Sequence, residues 1–331
     1  MDSLTQIVVG IATVEAVAGK ELKNKSFLYG ARLGTLPDLD IYIGKLFNYE
    51  MELAFHRSFT HSLLGFIVLS PFLGYLFHRL HSSITLKRWI LICFACFVTH
   101  TGIDLFTSWG VQLFYPHPAR ISFKTIFVVD PLYTLPWLVA LLFLFRTKEV
   151  YRRAKLLRIG FLLSSLYLIW GIVIKLYVSN LVKDQLNDQH IVYTDYIVKP
   201  TIANSILWNI NVKTTEGYYL SDYSLLDKSE MQFTFYPSNT ELEQKMSPYS
   251  SVQKLFEVTE GWYTLTALDT NIYALNDLRF GLIEKADLSQ QFAFSYKIEE
   301  TAEAVEISEM PKTFRDGRKS IQNILQRIKG Q

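Results

Sequence analysis

One apolar segment ends in two side chains that can bind a metal, and it constrains the fold more than any other feature. The sequence is apolar from Trp89 to Val98 and then presents His100 and Asp104, four residues apart. In a helix this spacing places the imidazole and the carboxylate on one face, one turn apart. Ionisable groups at membrane depth are costly unless paired, so this pair predicts a functional site. A structural hydrogen bond between packed helices is the alternative interpretation.

Two upstream motifs supply further ligand-type side chains. Segment 37–40, Pro-Asp-Leu-Asp, carries Asp38 and Asp40, although these two could also form a turn that caps a helix. Segment 56–62, His-Arg-Ser-Phe-Thr-His-Ser, carries His56 and His61, five residues apart. That spacing is about 140° around a helix, so both can converge only if His56 lies in a loop before the helix. Three His and three Asp are the ligands of a hydrolytic zinc or mixed-metal site.

The composition indicates a membrane protein with an attached soluble part. Half of the 331 residues are hydrophobic and only 19% are charged. The net charge of +2 gives no reason to expect a nucleic acid partner. The two cysteines, Cys93 and Cys96, form a CxxC pattern inside the apolar segment. There, packing is the favoured interpretation over a redox or metal motif.

The hydropathy pattern changes near residue 180, which divides the chain into two predicted domains. Residues 1–179 are expected to form a membrane α-helical bundle, and residues 180–331 a mostly β (α+β) soluble domain with a C-terminal helix over 312–329. Four apolar runs are credible membrane spans: 62–77, 89–108, 132–145 and 156–178. Two shorter runs, 4–18 and 26–36, could enter and leave the membrane as a hairpin or lie buried among the other helices.

Basic residues predict the orientation of these spans. Segment 146–158 carries six Lys or Arg against one Glu, which predicts a cytoplasmic position. Segments 81–88 and 20–25 contain further basic residues, and alternation of the spans places them on the same side. All the candidate ligands then collect at the outer face of the membrane, and the β-rich domain is delivered to that face as well.

The same motifs carry a resemblance to a known family. The chain start Met-Asp-Ser-Leu-Thr-Gln, together with Leu-Pro-Asp-Leu-Asp, His-Arg-Ser-Phe-Thr-His-Ser and His-Thr-Gly-Ile-Asp, resembles the bacterial inner-membrane metal-dependent hydrolases, the LexA-regulated membrane-bound hydrolases. Many members have His where this chain has Gln6. That family pattern is in turn distantly similar to zinc-dependent phospholipase C and the P1-type nucleases. The resemblance implies a multi-pass protein of the bacterial cytoplasmic membrane, and the orientation deduced from the basic residues places its C-terminal domain outside the cytoplasm.

We therefore expect a metal-dependent hydrolase acting on a phosphoester, either lipid, lipid-linked or a small soluble molecule. One to three divalent ions, most consistent with zinc, would be bound by the following residues: Asp38, Asp40, His56, His61, His100 and Asp104. Asp38 and Arg57 are the expected catalytic residues, since a guanidinium matches phosphate oxygens in a bidentate way. Arg57 could equally anchor a lipid headgroup. Membrane lipid is the expected partner, and the sequence indicates no oligomeric state.

Three rival functions remain to be compared with a hydrolase. A non-enzymatic, metal-stabilised membrane scaffold or stress-regulated protein would use the same ligands with no open position for water. A transporter would need polar residues along several spans, and the spans contain few. A metalloprotease is disfavoured because the sequence contains no His-Glu-x-x-His.

Overall fold

The protein, described here from a computed structural model, combines apolar helices with two antiparallel sheets, which confirms the expected fold class. The structure describes residues 1–284, 290–301, 304–312 and 317–330. The helices are α1 (Ser3–Leu22), α2 (Lys25–Thr35), α3 (Asp40–Gly44), α4 (Tyr49–Phe55), α5 (Leu63–Leu80), α6 (Leu86–Asp104), α7 (Pro131–Arg146), α8 (Val150–Asp188), α9 (Thr240–Met246), α10 (Ser250–Val258) and α11 (Gly317–Ile328). The strands are β1 (Asp195–Pro200), β2 (Leu207–Lys213), β3 (Gly217–Ser224), β4 (Thr234–Pro237), β5 (Tyr263–Asp269), β6 (Ile272–Glu284), β7 (Gln290–Glu300) and β8 (Val305–Glu309).

The chain forms two compact units that are interleaved along the sequence. The first unit comprises Met1–Ile43, Phe55–Ile174 and Ile202–Asn204. The second comprises Gly44–Ala54, Lys175–Thr201 and Ser205–Gln331. An eleven-residue segment between the two upstream ligand motifs, Gly44–Ala54, therefore belongs to the second unit.

The first unit contains the apolar helices. Within the described residues, α5, α6 and α8 are long and apolar enough to span a membrane, and α7 is apolar but shorter. The predicted span 89–108 is four residues too long, because α6 ends at Asp104. The predicted span 156–178 lies within α8, which begins at Val150 and makes much of the basic segment helical. Polar N-caps fix two of the helix starts: Ser62 accepts a hydrogen bond from Gly65 at the start of α5, and Asp130 accepts one from Leu132 at the start of α7.

The two short apolar runs at the N-terminus form α1 and α2, which pack closely through glycines. A Cβ atom added to Gly10 of α1 would lie 2.3 Å from the carbonyl oxygen of Gly30. One added to Gly30 would lie 2.3 Å from the Cα of Ile11, and one added to Gly34 would lie 2.3 Å from the carbonyl oxygen of Gln6. Gly30 and Gly34 form a GxxxG pattern on α2, which allows two helix backbones to approach closely. The α1–α2 contact is therefore made by backbone atoms that cannot move aside independently.

We expect Gly30→Ala to lower the free energy of unfolding by about 3 kcal/mol, because the new methyl group overlaps the backbone of Ile11. Gly102→Ala is the matched control, since a Cβ at this helical position meets nothing within 4 Å. That variant should be neutral or more stable by about 1 kcal/mol. Thermal unfolding in detergent measures both, and equal stability of the two variants would contradict the close packing of α1 on α2.

A buried ion pair joins α1 to the start of α8. The guanidinium of Arg153 makes two hydrogen bonds to the carboxylate of Glu15, both 2.7 Å long. Arg153 also donates to the side chain of Asn24 at 2.9 Å, and Ser26 donates to Glu15 at 2.6 Å. Arg153 and Glu15 are both 6% exposed. The geometry is the bidentate form in which a guanidinium and a carboxylate best satisfy each other.

The second unit contains two four-stranded antiparallel sheets, in the orders β1-β2-β3-β4 and β5-β6-β7-β8. Apolar side chains of both sheets meet in one cluster, formed by Ile197, Tyr218, Leu220, Trp262 and Leu278. Helix α10 and segment Gly44–Ala54 pack on the second sheet, where the ring centroids of Tyr49 and Tyr296 lie 6.1 Å apart. The structure adds elements that the sequence did not predict: α4, α9, α10 and β8. The predicted helix over 312–329 is observed as α11, and residues 313–316 lie outside the described part of the chain.

Candidate metal centre

The last turn of α6 supplies two of the buried ligand-type side chains. His100 and Asp104 are 1% and 0% exposed, and the imidazole Nε2 lies 3.6 Å from the carboxylate Oδ2. The His100 Nδ1 donates a hydrogen bond to the carbonyl oxygen of Gly34 at 2.7 Å. This bond keeps the proton on Nδ1 and leaves the Nε2 lone pair directed towards Asp104, as is typical of metal-binding histidines. The glycine that allows α1 to approach α2 therefore also orients His100.

Asp38 lies in a short turn of 3₁₀-helix that follows α2, Pro37–Leu39. Its Oδ1 is 3.4 Å from the Nε2 of His61 and 3.5 Å from the Nε2 of His100. Burial raises the pKa of Asp38, but its contacts with the imidazoles of His100 and His61 outweigh this effect and hold that pKa well below its usual range. The side chain is 22% exposed, unlike the nearly inaccessible His100 and Asp104. Asp38 is thus the ligand-type group nearest to solvent.

His61 lies at the end of a second short 3₁₀ turn, Phe59–His61, directly before the N-cap Ser62 of α5. Its Nε2 is 3.1 Å from the Nε2 of His100 and 3.4 Å from the Oδ2 of Asp104. Burial lowers the pKa of His61, but contacts with Asp104, Asp38 and Asp40 raise it to about 10. The carboxylates around this imidazole therefore stabilise a positive charge at its position, which is what a site for a cation requires.

These four residues form a group that could hold a metal ion. One ligand atom from each of Asp38, His61, His100 and Asp104 lies within 4.8 Å of every other. Bonds of about 2.0–2.1 Å in a tetrahedral site imply ligand separations of about 3.3–3.4 Å. The measured His–His and His–Asp separations run from 3.1 to 3.6 Å. Two buried carboxylate oxygens that face this space, Asp38 Oδ1 and Asp104 Oδ2, have no hydrogen-bond partner among the described residues.

Asp40 and His56 lie beside this group as a separate pair. The His56 Nδ1 is 2.9 Å from Asp40 Oδ1, and Asp40 Oδ2 accepts hydrogen bonds from the backbone of Arg57 at 2.9 Å and from Thr60 at 2.7 Å. Burial raises the pKa of Asp40, but the contacts with His56 and His61 bring it below its usual range. Asp40 thus holds together the loop that carries His56 and His61. The role of this pair as metal ligands stays a prediction.

Arg57 adopts a left-handed backbone conformation, with φ of 60°, that is uncommon for a residue with a side chain. Its amide donates to Asp40, and its carbonyl oxygen accepts from Gln112 at 3.0 Å. The guanidinium is buried, donates to Thr107 at 3.2 Å and lies 3.3 Å from Asp104 Oδ1. The buried Nε has no partner among the described residues. A fixed positive charge therefore lies directly beside the four-residue group.

Several contacts of the site involve groups that the sequence motifs did not single out. Gln6 Nε2 donates to Asp104 Oδ1 at 3.0 Å, and the amine of Met1 is also hydrogen-bonded to that oxygen. Thr60 lies 2.9 Å from His61 Nδ1, and Arg120 donates to the carbonyl oxygen of His56 at 3.0 Å. Of these contacts, only that of Gln6 was indicated in the sequence, because the family resemblance places a His at position 6. Gln6 contacts a ligand-type residue without belonging to the four-residue group.

We expect Asp40→Ala to weaken binding of a divalent ion by 10–100-fold, the usual effect of removing a group that orients ligands. Full occupancy should still be reached at saturating metal, because Asp40 lies outside the four-residue group. Titration of purified protein with Zn²⁺ against a competing chelator measures the affinity. Asp188→Ala is the control, since Asp188 is an exposed residue at the end of α8. A protein that binds no ion at saturation would instead identify Asp40 as a ligand.

The fold and the site define a membrane protein with a buried cluster of His and Asp side chains that could hold a metal ion. The family model described as YdjM inner membrane protein matches residues 1–178. The chain therefore belongs to the YdjM inner membrane protein family, and every site residue lies within the matched part. Comparisons with curated proteins and with solved structures found no match. None of these comparisons supports the similarity to zinc-dependent phospholipase C and the P1-type nucleases.

Proposed function

We propose that this protein is a membrane-bound, metal-dependent hydrolase that cleaves a phosphoester, lipid or lipid-linked, at the outer face of the bacterial cytoplasmic membrane. The observation that carries the proposal is the four-residue group, whose ligand atoms lie within 4.8 Å of one another, with the guanidinium of Arg57 beside it. Neither a purely structural hydrogen-bond network nor a membrane anchor requires two carboxylates and two imidazoles around one point. Together with Arg57, they match the charges of a metal ion and a phosphate.

In this function Asp38, His61, His100 and Asp104 hold the ion, and zinc fits two imidazoles and two carboxylates best. The bound ion supplies Lewis acidity to the phosphoryl group and acidifies water at the site. Arg57 would bind a phosphate oxygen, and its contact with Asp104 holds the guanidinium beside the four-residue group. Asp38 is the ligand that an incoming substrate reaches first, because it is the most exposed of the four.

A second function is favoured by the coordination number alone. Four protein ligands complete a tetrahedral zinc site, and closed sites of this kind stabilise structure without catalysing a reaction. The alternative is therefore a non-enzymatic membrane scaffold or stress-regulated protein held together by the ion. The two functions differ in whether a water molecule or a substrate can enter the coordination sphere.

Cobalt-substituted protein distinguishes these two functions. We expect its visible absorption spectrum to change when inorganic phosphate is added, because a catalytic site admits a further ligand. The loaded protein should also hydrolyse bis(4-nitrophenyl) phosphate or phospholipid, and Arg57→Gln should reduce that rate by about 100-fold. Arg79→Gln, an exposed position at the opposite end of α5, is the control. A spectrum insensitive to phosphate, with no hydrolysis of either ester, would support the scaffold instead.

The proposed orientation has its own test. Reporters fused after Leu80 or Lys148 are expected to read as cytoplasmic, because the basic segments lie there. Reporters fused after Asn180 or at residue 331 are expected to read as external. Activity of a periplasmic alkaline phosphatase fusion and fluorescence of a cytoplasmic protein fusion measure the two states. A cytoplasmic second unit would contradict the proposed outer location of the site.

A further inference from the structure

The exposed face of α5 provides a lipid-facing reference surface on the first unit. Leu64, Val68, Phe72 and Leu76 repeat every four residues on this candidate span and are 45%, 52%, 67% and 46% exposed. A stripe of large apolar side chains along a spanning helix of a membrane protein faces the acyl chains. The N-terminal end of this stripe lies next to the metal centre, because His61 directly precedes the helix cap Ser62.

The loop Leu113–Tyr115 continues this surface beyond the start of α5. The carbonyl oxygen of Leu113 accepts a hydrogen bond at 3.0 Å from the amide of Leu63, the first residue of the helix. This satisfies one of the amides that a helix start leaves without an internal partner. The ring of Tyr115 packs edge-on against Phe59 with centroids 5.8 Å apart. Phe114 and Tyr115 are nevertheless 61% and 38% exposed.

The same loop is joined to the metal centre by a backbone hydrogen bond. The amide of Gln112 donates to the carbonyl oxygen of Arg57 at 3.0 Å. Arg57 is the residue whose amide binds Asp40 and whose guanidinium lies beside Asp104. The depth of this loop in the membrane therefore fixes the depth of the metal centre.

The charge of the surrounding sequence suits a phospholipid surface. Residues 105–129 contain no Asp or Glu, and of their two basic residues Arg120 donates to the carbonyl oxygen of His56 while Lys124 is partly exposed. Basic side chains near a membrane surface are attracted to anionic headgroups. Aromatic residues such as Tyr115 are enriched at this level of a bilayer. An exposed apolar and aromatic tip in a segment without acidic residues matches a headgroup layer above acyl chains.

We propose that the loop Leu113–Tyr115 lies in the headgroup region of a phospholipid leaflet and holds the metal centre at that depth. The partner of this surface is the phospholipid bilayer itself. For the reaction, the consequence is that the substrate is a phosphoester of a membrane phospholipid that reaches the ion from within the leaflet. This second step rests on the proposed hydrolase function, while the position of the loop does not.

Nitroxide accessibility in phospholipid nanodiscs tests the position of the loop. Phe114→Cys is compared with Phe72→Cys on the lipid-facing stripe and with Thr270→Cys, an exposed position in the turn between β5 and β6. Relaxation by oxygen reports lipid, and relaxation by a water-soluble nickel chelate reports solvent. The unaltered protein, whose Cys93 and Cys96 are buried, measures background labelling. Tyr115→Cys takes the place of Phe114→Cys if the latter does not purify.

We expect the oxygen-to-nickel ratio at position 114 to lie several-fold above that at 270 and below that at 72. A ratio equal to that at 270 would overturn the proposal, because the loop would then be in water. A ratio equal to that at 72 would also overturn it, because the loop would then lie in the hydrocarbon core. The measurement involves no turnover, so failure to detect hydrolysis would contradict the proposed function and leave the position of the loop standing.

Discussion

His100→Ala protein is expected to retain essentially no divalent ion and to unfold at a markedly lower temperature. The substitution removes one of four ligand atoms and leaves Asp38 and Asp104 facing each other's charge across a buried space. Structural zinc sites contribute about 10–16 kcal/mol of apparent binding free energy, all of it to the folded state. Losing a ligand should therefore remove both the ion and the stabilisation by mass action. Mass spectrometry of metal content and thermal unfolding in detergent measure the two effects.

His78→Ala is the matched control, because His78 lies in the last turn of α5, at the end opposite His61. It should keep full occupancy. The same loss as in His100→Ala is expected for Asp38→Ala, His61→Ala and Asp104→Ala. His56→Ala distinguishes the four-residue group from the six-residue ligand set that the sequence predicted. Because His56 lies outside the four-residue group, this variant should keep its ion if that group alone binds it. Full occupancy in all four ligand variants would contradict the metal centre.

Arg153→Met is expected to lower the free energy of unfolding by about 3–5 kcal/mol, the usual result of breaking a buried ion pair. Among the described residues, the substitution leaves Ser26 as the one hydrogen-bond donor to the buried carboxylate of Glu15. It also removes the bonds from Arg153 to Asn24 and to the end of α7. The cost arises from the unpaired charge, because methionine replaces most of the apolar volume of the arginine. Thermal or denaturant unfolding in detergent measures the loss.

Arg152→Met is the natural control for this variant. Arg152 is the preceding residue and also forms an ion pair, at 2.8 Å from Glu149, but its side chain is 77% exposed. Exposed pairs contribute at most about 1 kcal/mol. The double variant Glu15→Met/Arg153→Met should recover much of the stability that Arg153→Met loses, since no charge remains buried. Equal effects of Arg152→Met and Arg153→Met would contradict the buried pair.

Side-chain spacing was enough to predict the helical part of the site. The four-residue interval between His100 and Asp104 correctly placed both on one face of a long apolar helix. The five-residue interval between His56 and His61 correctly indicated that His56 precedes the helix. His61 also precedes the helix, because Ser62 caps α5 and residues 59–61 form a separate 3₁₀ turn.

Backbone groups account for most of what spacing could not predict. The carbonyl oxygen of Gly34 orients His100. Every residue has a backbone carbonyl, so the sequence does not indicate which one will accept a hydrogen bond from a histidine. The left-handed backbone conformation of Arg57 could not be predicted from the sequence either, because arginine does not favour that conformation. Short elements such as α9 and β8 carry too few residues for a clear hydrophobic period, so only tertiary packing defines them. The pairing of Glu15 with Arg153 joins residues far apart in sequence, and charge alone does not select the partner.

Segment Gly44–Ala54 belongs to the second unit, although most of that unit is synthesised much later than this segment. All four ligand-type residues have been synthesised once Asp104 is added to the chain, but the sheet on which Tyr49 packs is finished only at Glu309. At about 5–20 residues per second, roughly two hundred further residues take about 10–40 s to appear. During that interval the segment that links the two halves of the ligand set has no sheet to join. The ion-binding groups are therefore synthesised well before segment Gly44–Ala54 can pack on its sheet.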